Sequence, residues 1–259
     1  MRFDGNVVVI HDAAAIRDPD WYSAAYARWQ RFALPRIARS ARAVITPSSF
    51  SRDEIVDLLG VNEAKISVVP GGVDERFSPE ADATVVRHAL GLDRPYVLTV
   101  ASRTSRKNLA ALGPACSALN EQGIELVAAG GERSGLRDSG LAGAMKSLGT
   151  IPDALLPGLY AGAKAFVLPS FHEGFGLTAL EAMRSGVPVV VSDAGALPEV
   201  CGEAATYVDP NDPAGIAAAV LDAAAREGVD QRAVDRASRF SWEQTAIGVN
   251  RVVERALEG

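Results

Sequence analysis

The segment Pro169-Ser-Phe-His-Glu-Gly-Phe-Gly-Leu-Thr-Ala-Leu-Glu181 places two glutamates, two glycines and a threonine between an apolar run and a helical stretch that ends near Gly186. A strand tip followed by Gly174, Gly176 and a helix start turns main-chain N–H groups outward at the positive end of a helix dipole, which is the geometry of an anion site. The glycines admit a diphosphate to the main chain, and Thr178 adds a hydroxyl donor. Glu173 precedes the helix and Glu181 lies about one turn into it. Both carboxylates can therefore face one crevice and accept hydrogen bonds from the hydroxyls of a sugar and of a ribose. The same residues also fit a plainer assignment, with Glu173 as a carboxylate at the start of a helix and Glu181 on a solvated face.

A second cluster, Ser102-Arg-Thr-Ser-Arg-Lys-Asn108, follows the apolar run Tyr96 to Ala101. Ligands of an open parallel sheet bind beyond the carboxyl ends of its strands, so the two clusters converge on one crevice. There Arg103 and Lys107 supply fixed positive charge to a diphosphate whose leaving oxygen gains charge as its bond breaks. Arg106 is assigned to solvent.

The elements that must carry these clusters read as βα units of a parallel sheet, because short apolar runs alternate with amphipathic stretches. The strand candidates are Val7–Ile10, Ala43–Thr46, Ile66–Val69, Tyr96–Ala101, Glu125–Ala129, Ala165–Leu168, Val187–Val191 and Thr206–Val208. Ser51 and Glu54 read as a capping box opening a helix that Gly60 closes. Pro114 is expected to kink or shorten the first turns of the helix after Lys107. The turn-rich Pro70–Pro79 reads as a linker, which divides the chain into residues 1–75, 76–240 and a last amphipathic helix within 241–259. That helix repeats Ile247, Val252, Val253 and Leu257 at helical spacing and is expected to pack back on the first part. The middle part makes a complete doubly wound domain. The first has only three strands, so roughly 100 residues of a full nucleotide-binding-type half are expected to be absent.

A net charge of −6 argues against the basic footprint of a nucleic-acid binder. Apolar runs such as Val187–Val191 and Ile216–Leu221 are far too short to span a bilayer. Val7–Ile10, flanked by Asp4 and His11, is too short for a signal peptide, so a cytoplasmic location is expected. Cys116 and Cys201 form no zinc pattern and are expected to be reduced and buried. Asp18-Pro-Asp20 reads as a helix start rather than a metal site.

Together, His172-Glu-Gly-Phe-Gly-Leu177, Glu181-Ala-Met and Gly186-Val-Pro-Val-Val190 resemble the signature of glycosyltransferase family 4. The resemblance extends over nearly the whole chain, through Ile10-His-Asp12, Thr46-Pro-Ser-Ser-Phe-Ser51, Val69-Pro-Gly-Gly-Val-Asp74, Arg103 with Lys107-Asn108, Gly149-Thr-Ile151 and Pro198-Glu-Val200. It implies an α/β fold of the GT-B type: a C-terminal Rossmann-like domain for a nucleoside-diphosphate sugar, and an N-terminal α/β domain, here partial, for an unknown glycan or lipid acceptor. By the same resemblance Glu173 contacts the transferred hexosyl group, mannosyl in many members, and Glu181 the ribose. Arg103 and Lys107 meet the diphosphate together with the loop of Gly174, Phe175, Gly176, Leu177 and Thr178. Gly149, Thr150 and Ile151 frame the base, and His11 lines the reaction centre. The implied reaction retains the anomeric configuration and needs neither metal nor cofactor. Gly71 departs from the family, which often has Asn there. The glycine-rich loop found near the start of full-length members has no counterpart before Val7. A catalytically silent nucleotide-sugar-binding module, completed by self-association or a partner chain, is the alternative, and a phosphorylase or sugar-nucleotide epimerase is a weaker third.

Overall fold

A computed structural model describes residues 6–131 and 145–258. The first part builds β1 (Val7–Val9), α1 (Ala14–Arg17), α2 (Ala24–Ser40), β2 (Ala43–Thr46), α3 (Ser49–Leu59) and β3 (Ile66–Val68). A second series follows with α4 (Ala83–Ala89), β4 (Tyr96–Val100), α5 (Gly113–Glu121), β5 (Glu125–Ala129), β6 (Lys146–Gly149), α6 (Leu156–Ala161) and β7 (Ala165–Leu168). It continues through α7 (Leu177–Arg184), β8 (Val189–Ser192), α8 (Leu197–Cys201), β9 (Thr206–Val208), α9 (Pro213–Ala225), α10 (Gln231–Ala237) and α11 (Trp242–Glu258).

The strands pair in parallel throughout the described residues, as β1-β2-β3 in one sheet and β6-β5-β4-β7-β8-β9 in the other. The order of the larger sheet reverses between β4 and β7. That is the switch point where an α/β sheet leaves a crevice at its carboxyl edge. β4, β7 and β8 carry near-continuous apolar residues because helices cover both faces, and Val97, Leu98, Phe166, Val167, Val190 and Val191 are fully buried. The smaller sheet has its own core around Ile10, Val44, Ile55 and Leu59.

Three expectations are revised. β6, with its polar start Lys146-Ser147, is an edge strand absent from the expected set. Ser51 does not cap α3: Ser48 does, accepting from the Ser51 N–H at 3.0 Å, and Glu54 turns inward instead of back to the cap. Gly60 closes that helix in the left-handed conformation as expected. Pro114 kinks nothing but fits the expected shortening: it sits in the first turn of α5, and a 3₁₀ turn, Leu109–Leu112, takes the place of an earlier helical start. α11 packs on β1 and β2, with Gly248 against Val69 and the Thr245 hydroxyl donating to the Pro70 carbonyl at 2.8 Å. Of its four expected apolar contacts only Val252 is buried. Ile247, Val253 and Leu257 face outward, since three strands offer only one narrow surface to cover.

Candidate functional site

The carboxyl ends of β4, β5 and β6 open into a cleft of about 390 Å³, lined among others by Ser102, Arg106, Lys107, Gly131, Thr150, Ile151 and Thr178. Gly130 makes this closure possible: with φ at 126°, a Cβ there would stand 2.1 Å from the Ala101 carbonyl oxygen. Any side chain would force the ends of β4 and β5 apart. From the far wall, Thr178 reaches the cleft from the first turn of α7, whose N-cap is Gly176.

A knot of buried charge lies against this cleft. Lys107 Nζ donates to Glu173 Oε1 at 2.5 Å, the Ser170 hydroxyl donates to the same oxygen at 2.6 Å, and Arg106 reaches Oε2 at 3.3 Å. Arg106 also donates to the His172 carbonyl. Its side chain is only 18% exposed, so the assignment of Arg106 to solvent is overturned. The 3₁₀ turn Ser105–Lys107, closed by Asn108 at φ 53°, turns both cations inward. Burial alone would raise the Glu173 carboxyl, but Lys107 and then Arg106 hold it down at about 2. Burial pulls the Lys107 ammonium below its ordinary value, with Glu173 opposing and Arg106 adding to the push. Two cations thus hydrogen-bond one carboxylate, and the Asp12 carboxylate acts on both of them as well.

Glu181 points elsewhere. Tyr160 donates to its Oε2 at 2.7 Å, and burial raises its carboxyl to about 7, with the Tyr160 hydrogen bond opposing and Asp153 adding to the rise. The two glutamates, expected to face one crevice, therefore lie in separate surroundings. Arg103 likewise turns away from Lys107 and donates to the Ser147 hydroxyl of β6 at 2.7 Å. Gly149 ends that strand, its carbonyl accepting from the Gly130 N–H, and hands on to Thr150 and Ile151 in the cleft wall.

The loop carrying Glu173 is clamped to the smaller sheet. The Ser48 and Ser51 hydroxyls donate to the Gly174 carbonyl at 2.7 and 3.0 Å. A Cβ on Gly174 would stand 2.6 Å from the His11 carbonyl oxygen, so Gly174 serves this close approach rather than the cleft. His172 is buried and its Nε2 lies 2.9 Å from Glu54 Oε2, while Arg17 pairs with the other oxygen. Phe175 packs edge-on against Phe240, and Leu177 is partly exposed. His11 stands at the end of β1 in a separate hollow of about 190 Å³ with Asp12 and Tyr22. Burial raises the Tyr22 hydroxyl to about 12, against Arg106 and with Asp12, which puts these groups of the smaller sheet beside the charge knot.

Gly130, Gly131 and Tyr22 were not singled out in the sequence, whereas Arg106 reads there as solvated and Glu54 as a capping residue. A Gly-Gly pair directly after a strand was the signal for Gly130 and Gly131. Nothing local marked Glu54, whose partner is 118 residues away.

Residues 94–226 match the family Glycosyl transferases group 1, and residues 6–77 match Glycosyltransferase Family 4. The chain is 33% identical to O-antigen chain mannosyltransferase B of Escherichia coli, over 93% of this chain and 68% of that protein. It is 30% identical to the MMP alpha-(1->4)-mannosyltransferase of Mycolicibacterium hassiacum, over 92% of this chain and 60% of the relative. D-inositol 3-phosphate glycosyltransferase of Corynebacterium kroppenstedtii is 29% identical, and the chain spans 56% of its length. Sucrose-phosphate synthase from Thermosynechococcus elongatus superposes with a TM-score of 0.77 at 24% identity, over 97% of this chain and 68% of that one. Anabaena HepE in complex with UDP-glucose superposes with a TM-score of 0.76 at 20% identity, over 98% and 72%. The fold is GT-B. The chain belongs to the group 1, family 4 glycosyltransferases.

Proposed function

We propose that this chain transfers a hexosyl group from a nucleoside-diphosphate sugar to a glycan or lipid acceptor, with retention of configuration and on the cytoplasmic side. Its likeness to two mannosyltransferases favours mannose. The observation that carries the reading is the knot of Lys107, Arg106 and Glu173 beside the cleft. Two largely buried cations hydrogen-bonded to one carboxylate suit a diphosphate whose charge grows as the glycosidic bond breaks, and a site screened from water strengthens that attraction. Protein cations would then do the work of a metal.

In this reading Lys107, Arg106 and the start of α7 at Thr178 take the diphosphate, while Thr150 and Ile151 frame the base. Glu181 takes the ribose and Glu173 the sugar. Arg103 acts from the rim, and His11 with Asp12 faces the transferred group from the smaller sheet. The acceptor attacks on the face from which the diphosphate departs.

Calorimetry in the presence of a chelator should show saturable binding of guanosine or uridine diphosphate. Lys107→Ala should weaken it on the order of tenfold, the worth of one charge-assisted contact. Radiolabelled nucleotide sugars offered with a pooled acceptor panel test transfer. Failure to bind any nucleotide would sink the reading, and binding without transfer would leave a nucleotide-sugar-binding module.

A further inference from the structure

Residues 21–52 contain six arginines and no Asp or Glu, within a chain whose net charge is −6. Helix α2 runs through this stretch. At about 100° per residue, Ala25, Trp29, Phe32 and Arg36 fall on the face opposite the buried Ala27 and Ala38. Trp29 and Phe32 are 56% and 61% exposed, and Tyr26, at 38%, adjoins them. They point away from the face with which α2 packs on α1 and α3.

Arg28, Arg31 and Arg36 border the rings. Among the described residues no carboxylate forms an ion pair with any of the three, although Asp20 shares a groove with Arg28 and Arg31. The Arg36 guanidinium lies 3.7 Å from the centre of the Phe32 ring. Large rings outermost on a helix, bordered by cations with flexible stems, suit an interface with an apolar interior and an anionic rim. No helix among the described residues is long and apolar enough to cross a membrane.

We propose that α2 docks on an anionic bilayer surface, with Trp29 and Phe32 at headgroup depth and Arg28, Arg31 and Arg36 on lipid phosphates. A second copy fits less well, because a two-fold contact on this face would set arginine against arginine. A nucleic acid would meet the arginines and leave the rings without an apolar partner. The docking is independent of the transfer reaction.

The test is co-sedimentation of the chain with vesicles of equimolar phosphatidylglycerol and phosphatidylcholine, beside pure phosphatidylcholine. The chain should pellet with the anionic vesicles and be released by raised salt. Joint replacement Arg28→Gln, Arg31→Gln and Arg36→Gln should weaken partition on the order of a hundredfold, at ~1 kcal/mol per arginine near such a surface. Trp29→Ala with Phe32→Ala should weaken it tenfold or more. These positions are exposed, so circular dichroism and melting should be unchanged. In the unsubstituted chain, brominated acyl chains should quench tryptophan emission, and Trp29→Phe should remove most of that quenching. Recovery in the supernatant at low salt, pelleting shared by all variants, absence of quenching, or a solution dimer that the same substitutions dissolve would each overturn the proposal. Nucleotide binding, measured in parallel, is expected to be unaffected by these variants.

Discussion

His172 and Glu173 are neighbours in the chain, yet their side chains end in two different clusters of buried charge. His172 meets Glu54, which also holds Arg17, and its ring packs between Trp21 at 5.9 Å and Phe50 at 5.3 Å. Glu173 meets Lys107 and Arg106 beside an open cleft. In both clusters burial alone would raise the carboxyl; the hydrogen bond to His172 and then Arg17 hold Glu54 down, and Lys107 and then Arg106 hold Glu173 down. What differs is the wall. The first cluster seals His172 and Glu54 between the two units, with Arg17 reaching solvent. Lys107 and Arg106 also line the cleft, where in the proposed function they exchange one anion for another.

The largest effect should follow Glu173→Ala, which leaves two buried cations without their anion. Breaking a buried pair from one side costs about 3 to 5 kcal/mol, read by urea unfolding. A saturating nucleoside diphosphate should return more stability to this variant than to the unsubstituted protein, because phosphate replaces the lost carboxylate. Equal gains would show that the cations do not exchange anions.

Glu54→Ala should cost less, about 2 to 3 kcal/mol, since the Arg17 side chain is 45% exposed and can turn to water. The same ligand should give it no more than the ordinary gain. An extra gain here would erase the distinction between a sealed and an open cluster.

Glu181 is the third carboxyl in the series, held by a phenol instead of a cation. Its folded value near 7 lies above the ordinary 4.5, so its contribution to stability is complete below about 4.5 and is lost as pH rises through 7. The unsubstituted protein should therefore lose on the order of 2 kcal/mol between pH 5 and 8 that Glu181→Gln does not lose. Parallel curves for the two proteins would place the carboxyl in water.

The three carboxylates also show what could be read from sequence. Apolar runs marked the central strands because a parallel sheet covered on both faces leaves no polar alternation. Lys146-Ser-Leu-Gly149 escaped because an edge strand needs no such run. That Glu173 and Lys107 would converge followed from both lying beyond strand ends. Which of Arg103, Arg106 and Lys107 turns inward depends on a 3₁₀ turn and on Asn108 at positive φ, which the order of residues does not reveal. Glu54 stands three residues after Ser51 and so imitates a capping box. Ser48, three residues earlier, takes the cap because its hydroxyl bonds both the helix and Gly174 across the junction.

The same junction supplies the smallest predicted effect. Glu199 of α8, on the larger sheet's side, accepts from the Ser49 and Phe50 N–H groups at 2.9 and 3.1 Å, so a carboxylate from one unit closes the N-terminus of a helix in the other. A negative charge in the first turn of a helix is favourable by roughly 0.3 to 1 kcal/mol at low salt, and Glu199 is exposed, which puts its share at the low end. Glu199→Gln keeps one oxygen acceptor but sets an amide N–H where the other oxygen stood, so it removes the charge and one of the two hydrogen bonds. It should cost about 1 kcal/mol at low ionic strength and roughly half that at 1 M salt, where screening acts over about 3 Å and leaves only the lost hydrogen bond. The bond between His172 and Glu54, buried on both sides, should show no such salt dependence. A cost for Glu199→Gln that does not change with salt would mean that Glu199 acts through geometry alone, and would put this exposed contact in the same class as the buried bond between His172 and Glu54.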